Sequence, residues 1–214
     1  MGALLAGLVI GLGSGAVPGP LVVLAISTTL RRGVRSGLLV ACGPLVSDAL
    51  IIAVSLTVVT ALPSWTRVAL GIVGSAVVAY FGVETWRAAR TVDVSAMREE
   101  APHLGRLPQL IRHPLVQSTA VNLLNPAPWL FWFTAGAALL ADYWATSPAI
   151  GVAYLVAFYV GLVGAKVAVV VGVAAGRRWL TTRAYRRILF GCAAALIILA
   201  IVLAIRSILE AVAP

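Results

Sequence analysis

VPGP at residues 17–20 and NPAP at residues 125–128 each place two prolines, one residue apart, inside a long apolar run. Proline removes a backbone donor and clashes with the preceding helical turn, so each pair predicts a broken helix rather than a bent one. Within a bilayer, freed backbone groups are tolerated only where they face protein or a water-filled cavity. The two motifs therefore predict a polar site between two broken helices; a packing kink without a ligand role is the alternative.

The composition excludes a water-soluble globular domain. Of the 214 residues, 61% are hydrophobic and 11% are charged, and the mean hydropathy is +1.03. In a soluble domain about 45–50% of the residues are apolar and about 25% are charged. No alternating strand pattern appears, so the membrane spans are predicted to be helices of about 20 residues or more. Six spans are predicted, at residues 3–30, 36–62, 67–86, 115–140, 148–176 and 188–209.

The basic residues cluster in the connections between the apolar runs, which indicates membrane topology rather than nucleic-acid binding, despite a net charge of +9. Thirteen arginines fall in the first, third and fifth connections, and two fall on the opposite side. Lysine and arginine are enriched in cytoplasmic loops. We therefore predict that the odd-numbered connections are cytoplasmic and that both termini lie outside.

The two halves of the chain match at equal spacings. The matched pairs are Gly43 and Asp48 against Gly161 and Lys166, and Arg67 and Gly71 against Arg187 and Gly191. Because each half has an odd number of spans, a duplicated half enters the membrane in the opposite direction, as in many secondary transporters.

The predicted fold is an all-α integral membrane protein with six transmembrane helices in two inverted three-helix repeats, helices 1 and 4 being broken by Pro-x-Pro. The first repeat is expected at residues 1–89 and the second at residues 114–214. The polar stretch at residues 90–113 is interpreted as a cytoplasmic linker between them.

Two ionisable residues, Asp48 and Lys166, lie well inside apolar spans. A charge at the bilayer centre costs about 2.5–3.5 kcal/mol on insertion scales, so such residues usually face a bundle interior and have a function there. We predict that the two face one cavity and can interact as carboxylate and ammonium, coupling proton movement to transport. A static salt bridge that fixes helix packing is the alternative.

Short polar side chains flank the predicted breaks. Asn122 and Asn125 lie at the second, and Ser14 and Ser47 lie near the first; they either complete the hydrogen bonds that the prolines remove or bind substrate. The candidate substrate and ion pathway comprises Pro18, Gly19, Pro20, Ser47, Asp48, Asn122, Asn125, Pro126, Pro128 and Lys166.

A glycine recurs at every fourth position before and into the first break, at Gly7, Gly11, Gly15 and Gly19. Small residues at this spacing let another helix approach closely. The sequence leaves open whether that neighbour lies in the same chain or in a second copy.

No cofactor, nucleotide or metal site is predicted. No Walker-type phosphate-binding motif occurs, and His103 and His113 lack carboxylate or thiol partners at ligand spacing. Cys42 and Cys192 lie in apolar segments without a CxxC pattern and are interpreted as buried small hydrophobic residues.

Four motifs resemble the LysE-type translocator family of amino-acid and small-solute exporters: GLGSGAVPGP at residues 11–20, RRG at 31–33, GPLVSD at 43–48 and Asn-Pro at 125–126. The resemblance covers nearly the whole chain. It implies a bacterial or archaeal inner-membrane exporter driven by the proton gradient, with the two proline-broken helices at its transport site. Many members have a lysine shortly after the second Asn-Pro, where this chain has Ala127 and Pro128, so substrate identity does not transfer.

The sequence thus favours a secondary exporter, not an enzyme, whose partners are a small-molecule substrate, protons and the lipid bilayer; it leaves open whether the protein forms a homo-oligomer. Two other classes remain open. A membrane thiol redox conduit requires cysteines at repeat-equivalent positions, which Cys42 and Cys192 are not. A non-transporting accessory protein predicts that Asp48→Asn and Pro18→Ala affect little besides stability.

Overall fold

The computed structural model of the chain describes residues 1–61, 65–93, 113–175 and 182–212. Helices account for 94% of these residues, and no strand occurs among them. In chain order the helices are α1 Gly2–Ala16, α2 Pro20–Arg32, α3 Val34–Ala61, α4 Trp65–Thr91, α5 Pro114–Leu124, α6 Pro126–Phe131, α7 Ala137–Thr146, α8 Pro148–Ala174 and α9 Thr182–Val212, with a π-helical turn at Trp132–Gly136 between α6 and α7.

Up to five membrane spans follow from helix length and hydropathy. Helices α3, α8 and α9 are each long and apolar enough to cross a membrane alone. Two broken pairs count as further spans: α1 and α2 meet at 63°, and α5 meets the α6–α7 segment at 58°. The third predicted span, residues 67–86, corresponds to α4, which is not among these five. Two predicted spans are shorter than the helices found, because α4 covers Trp65–Thr91 and α9 begins at Thr182.

The break between α1 and α2 falls at residues 17–19, so the predicted break in the first span is confirmed. Pro20, the first residue of α2, has no N–H to donate to the carbonyl of Ala16. The Tyr185 hydroxyl of α9 donates to that carbonyl instead, at 2.6 Å. At its other end, α2 stops at Gly33, whose φ of 83° lies in the region that favours glycine.

The break in the second half falls at Asn125 and is likewise confirmed. The Asn125 side chain caps α6 by accepting from the N–H of Ala127 at 3.1 Å. The indole of Trp129 donates to the carbonyl of Leu123 at 2.8 Å. Side chains of the same protein thus form the hydrogen bonds that backbone groups at the break cannot form with lipid.

A third proline, Pro44, lies inside α3 without breaking it. Pro44 cannot donate to the carbonyl of Val40 four residues earlier. The Ser118 hydroxyl of α5 donates to this carbonyl at 2.6 Å, across a sequence separation of 78 residues. The proline in α3 therefore creates the acceptor that ties α3 to α5.

Ser118→Ala is expected to destabilise the protein by about 1–3 kcal/mol, because the buried Val40 carbonyl loses its donor. In a Pro44→Ala background the same change should cost much less, since the new N–H at position 44 can bond to Val40 within α3. A double-mutant cycle on detergent melting temperatures measures this coupling. Equal losses in both backgrounds would contradict the role given to Pro44.

The glycines of α1 pack against α8 of the same chain. A Cβ added at Gly11 would overlap the backbone carbonyl of Phe158, and Gly7 and Gly15 meet α8 backbone in the same way. Gly19 lies beyond the end of α1, and an added Cβ there would meet only the carbonyl of Val17, at 4.0 Å. Helix α1 therefore approaches α8 through three glycines of the stripe. Extensive contacts also pair α3 with α5 and α4 with α9.

Gly11→Ala is expected to destabilise the chain by about 1–3 kcal/mol, because neither backbone can yield without separating α1 from α8. Gly164→Ala is the matched control on α8, since an added Cβ at Gly164 meets nothing within 4 Å. Melting temperature in detergent reports both. Equal behaviour of the two variants would show that the α1–α8 contact is looser than described.

Candidate functional site

A cavity of about 440 Å³ lies where the two broken helix pairs meet α3 and α8. Its volume is within the range of about 300–1,000 Å³ that is typical of small-molecule sites. Gly19 and Pro20 line it from the first break, and Asn125 and Pro128 line it from the second. Aromatic rings of Phe131, Trp132 and Phe158 form much of its apolar wall.

Asp48, on α3, is 3% exposed and lines this cavity. The amide of Asn122 donates to its Oδ1 at 2.6 Å, and the same nitrogen lies 2.7 Å from the Ser47 hydroxyl. The Tyr159 hydroxyl donates to Oδ2 at 3.4 Å. These donors replace the hydrogen bonds from water that a negatively charged carboxylate loses on burial.

Lys166, on α8, is 4% exposed and lines the same cavity. Within the part of the chain that the structure describes, its ammonium makes no hydrogen bond and no ion pair. The predicted cavity thus receives both charges, but Asp48 and Lys166 do not form a direct salt bridge, so the static salt bridge is not the arrangement found. Neutral donors bond to Asp48, whereas no described acceptor bonds to Lys166.

One wall of the cavity carries a second acid, Glu84 of α4. Its carboxylate accepts from the guanidinium of Arg87, one turn later, at 2.9 Å. Both side chains are exposed to a large extent, 39% for Glu84 and 71% for Arg87. An exposed pair of this kind contributes little to stability.

The candidate pathway residues divide into two groups. Those that line the cavity are Gly19, Pro20, Asp48, Asn122, Asn125, Pro128 and Lys166. Pro18, Ser47 and Pro126 are not among the described lining residues, and they act on the local structure instead. Pro18 lies in the first break, Ser47 contacts the Asn122 amide, and Pro126 begins α6.

Tyr159 and Ser118 were not predicted from the sequence. Tyr159 lies seven residues before Lys166 on α8, which places both on one helical face, so a face analysis starting from Lys166 would have found it. Ser118 lies one turn before Asn122 on α5, so a face analysis starting from Asn122 would have found it.

Cys42 and Cys192 are free thiols on α3 and α9, and neither is among the residues that line the cavity.

Apolar helices long enough to cross a bilayer, two of them broken around a cavity with a buried acid and a buried base, are typical of a membrane transporter. The chain belongs to the LysE type translocator family, whose family model matches residues 14–207. It is therefore a multi-pass membrane protein of a family that transports small solutes, not a family of enzymes. No curated protein and no solved structure matches the chain.

Proposed function

We propose that this chain is a secondary active transporter that exports amino acids or related small metabolites across a prokaryotic cytoplasmic membrane in exchange for protons. The observation that carries the proposal is the common cavity of Asp48 and Lys166 at the two helix breaks. Buried charges in a membrane protein are costly and usually mark a substrate or ion pathway.

The proposed architecture is six spans in two inverted repeats, with α4 as the third span and the cavity near the midplane. Helices at corresponding places in the two halves pack in corresponding pairs, α1 with α8 and α5 with α3, which supports it. Pro18 and Pro126 are 108 positions apart, and Asp48 and Lys166 are 118 apart. Shifted by these offsets, the approach of Gly11 to the Phe158 carbonyl becomes an approach of residue 119 to the carbonyl of Val40. The neighbouring Ser118 donates to that carbonyl.

The same correspondence extends to the charged residues. The offset of 108 relates Ser14 to Asn122, and the offset of 118 relates Asp48 to Lys166. Asn122 bonds to Asp48, and Ser14 lines the cavity together with Lys166. The two halves therefore present a matched polar residue and a matched charged residue to the same space, as a duplicated unit around a shared site would.

In the proposed cycle, Asp48 carries the proton. An ionised Asp48 is held by Asn122 and Tyr159, and protonation removes the charge that these donors compensate. The occluded form between the inward-facing and outward-facing states favours a neutral carboxyl, because desolvating a charge is costly. In the return step without solute, only the protonated carboxyl permits the change of state; in the export step the bound solute takes the place of the proton beside Asp48, so that one proton enters for each solute that leaves.

A counterflow screen tests the proposal. Proteoliposomes loaded with single unlabelled amino acids are given the same amino acid in labelled form, with and without an imposed pH gradient, and protein-free liposomes serve as the control. We expect at least one amino acid or related metabolite to accumulate in the protein-dependent arm and the pH gradient to change its level. Accumulation of none would favour other solutes or an accessory protein without transport.

Cysteine labelling tests the proposed orientation. In a Cys42→Ser, Cys192→Ser background, Ala145→Cys near the end of α7 is expected to react with an impermeant maleimide from outside intact cells. Arg35→Cys at the start of α3 should react only after permeabilisation, because its connection is assigned to the cytoplasm. Both positions are exposed. The reverse pattern would place the termini in the cytoplasm.

A further inference from the structure

The ammonium of Lys166 has no ion-pair partner among the residues that the structure describes. Lys166 is only 4% exposed, and no described residue accepts a hydrogen bond from its ammonium. Asp48 lies in the same cavity and attracts this charge, but it forms no salt bridge with Lys166, and its two carboxylate oxygens accept from Asn122 and Tyr159. A buried charge without a partner is costly, so it is retained where a ligand supplies the missing charge.

The amino end of α2 borders the same cavity and is also unsatisfied. Gly19, its N-cap residue, has no side chain that can accept from the helix, and Pro20 follows at the first helical position. The N–H groups of Val22 and Val23 bond to the Gly19 carbonyl, at 3.0 and 3.1 Å. The N–H of Leu21 donates to no group that the structure describes, and Leu21 lines the cavity.

The two breaks differ in this respect. At the second break the Asn125 side chain accepts from the N–H of Ala127 at 3.1 Å, so α6 is capped internally. At the first break α2 has no such cap, and its 13 residues give it a full N-terminal dipole. The amino end of α2 therefore attracts an anion, and Lys166 adds a full positive charge to the same space.

We infer that Lys166 and the amino end of α2 together bind the carboxylate group of the transported solute. The rest of the solute then lies against Phe131, Trp132 and Phe158, the aromatic part of the wall. The assignment of a transported solute rests on the proposed function, but the carboxylate subsite can be tested by binding alone.

The test uses the full chain purified in detergent, with melting temperature as the readout at constant ionic strength. The probes are sodium butyrate, butyramide, butylamine and sodium chloride, which separate a carboxylate from its neutral and cationic analogues and from a simple anion. We expect only butyrate to raise the melting temperature. An equal shift with butyramide, or with chloride alone, would overturn the subsite without any variant being made.

Lys166→Met is expected to weaken the apparent butyrate affinity by about tenfold to a hundredfold, the range for a lost hydrogen bond to a charged group. Lys166→Arg should retain most of the shift, because it keeps the charge. Arg186→Met, which removes one exposed positive charge outside the cavity, is the matched control and should behave like the parent. If Lys166→Met kept the butyrate shift, the carboxylate would bind elsewhere.

The subsite and the proposed function fail in different ways. Butyrate binding that depends on Lys166, in a chain that shows no counterflow of any amino acid, would retain the subsite and contradict the proposed export of amino acids. Counterflow of solutes without a carboxylate, unchanged by Lys166→Met, would retain transport and contradict the subsite.

Discussion

Asp48→Asn is expected to abolish accumulation driven by a pH gradient while counterflow exchange continues. Asparagine is close to aspartate in shape and can still bond to Asn122 and Tyr159, but it cannot carry a proton. With one proton exchanged per solute, a gradient of one pH unit sustains up to about tenfold accumulation. The variant should show none, because its cycle no longer moves a proton.

Asp142→Asn is the control for this experiment. Asp142 lies on α7 and is not among the described residues that line the cavity. Its replacement should leave the gradient-driven accumulation at the level of the parent. If Asp48→Asn retained full accumulation, the proton would have to travel by another group, and the role proposed for Asp48 would be wrong.

Lys166→Met is expected to lower the transport rate of carboxylate-bearing solutes to a few per cent of the parent's rate or less. The melting temperature of the variant should equal or exceed that of the parent. The substitution removes a buried charge that makes no hydrogen bond and no ion pair with the described part of the chain, and such a charge costs about 2.5–3.5 kcal/mol on insertion scales. Methionine keeps the length and apolar stem of lysine. Stability should therefore improve as function is lost.

Lys166→Arg separates charge from size in the same assay, and it should retain a measurable part of the transport rate. A large fall in melting temperature for Lys166→Met would instead indicate that the ammonium holds the bundle together. That result would favour a structural role and contradict a binding role for Lys166.

Both helix breaks were predictable from sequence because a Pro-x-Pro removes donors and adds clashes wherever it occurs, independently of the rest of the chain. The common cavity of Asp48 and Lys166 was also inferred, since buried charges in a bilayer have few other places to lie. Their separation was not foreseen, because the donors Tyr159 and Asn122 that hold Asp48 come from other helices.

Contacts between distant helices could not be derived from local patterns. The glycine stripe indicated a close helix neighbour, but spacing alone does not say which backbone faces Gly11. The bond from Ser118 to the carbonyl freed by Pro44 depends on the relative register of α3 and α5. The place of residues 94–112, predicted as part of the cytoplasmic linker, lies outside the described residues, as does His103.

Accessibility of Ser14→Cys in a Cys42→Ser, Cys192→Ser background tests most directly whether the cavity is a transport site with alternating access. Ser14 lines the cavity at the end of α1, beside the first break. In oriented proteoliposomes the thiol is expected to react with an impermeant reagent added to either face, and a counterflow-active solute should slow both reactions. Reaction from neither face, or from one face under all conditions, would contradict passage of a solute through this space.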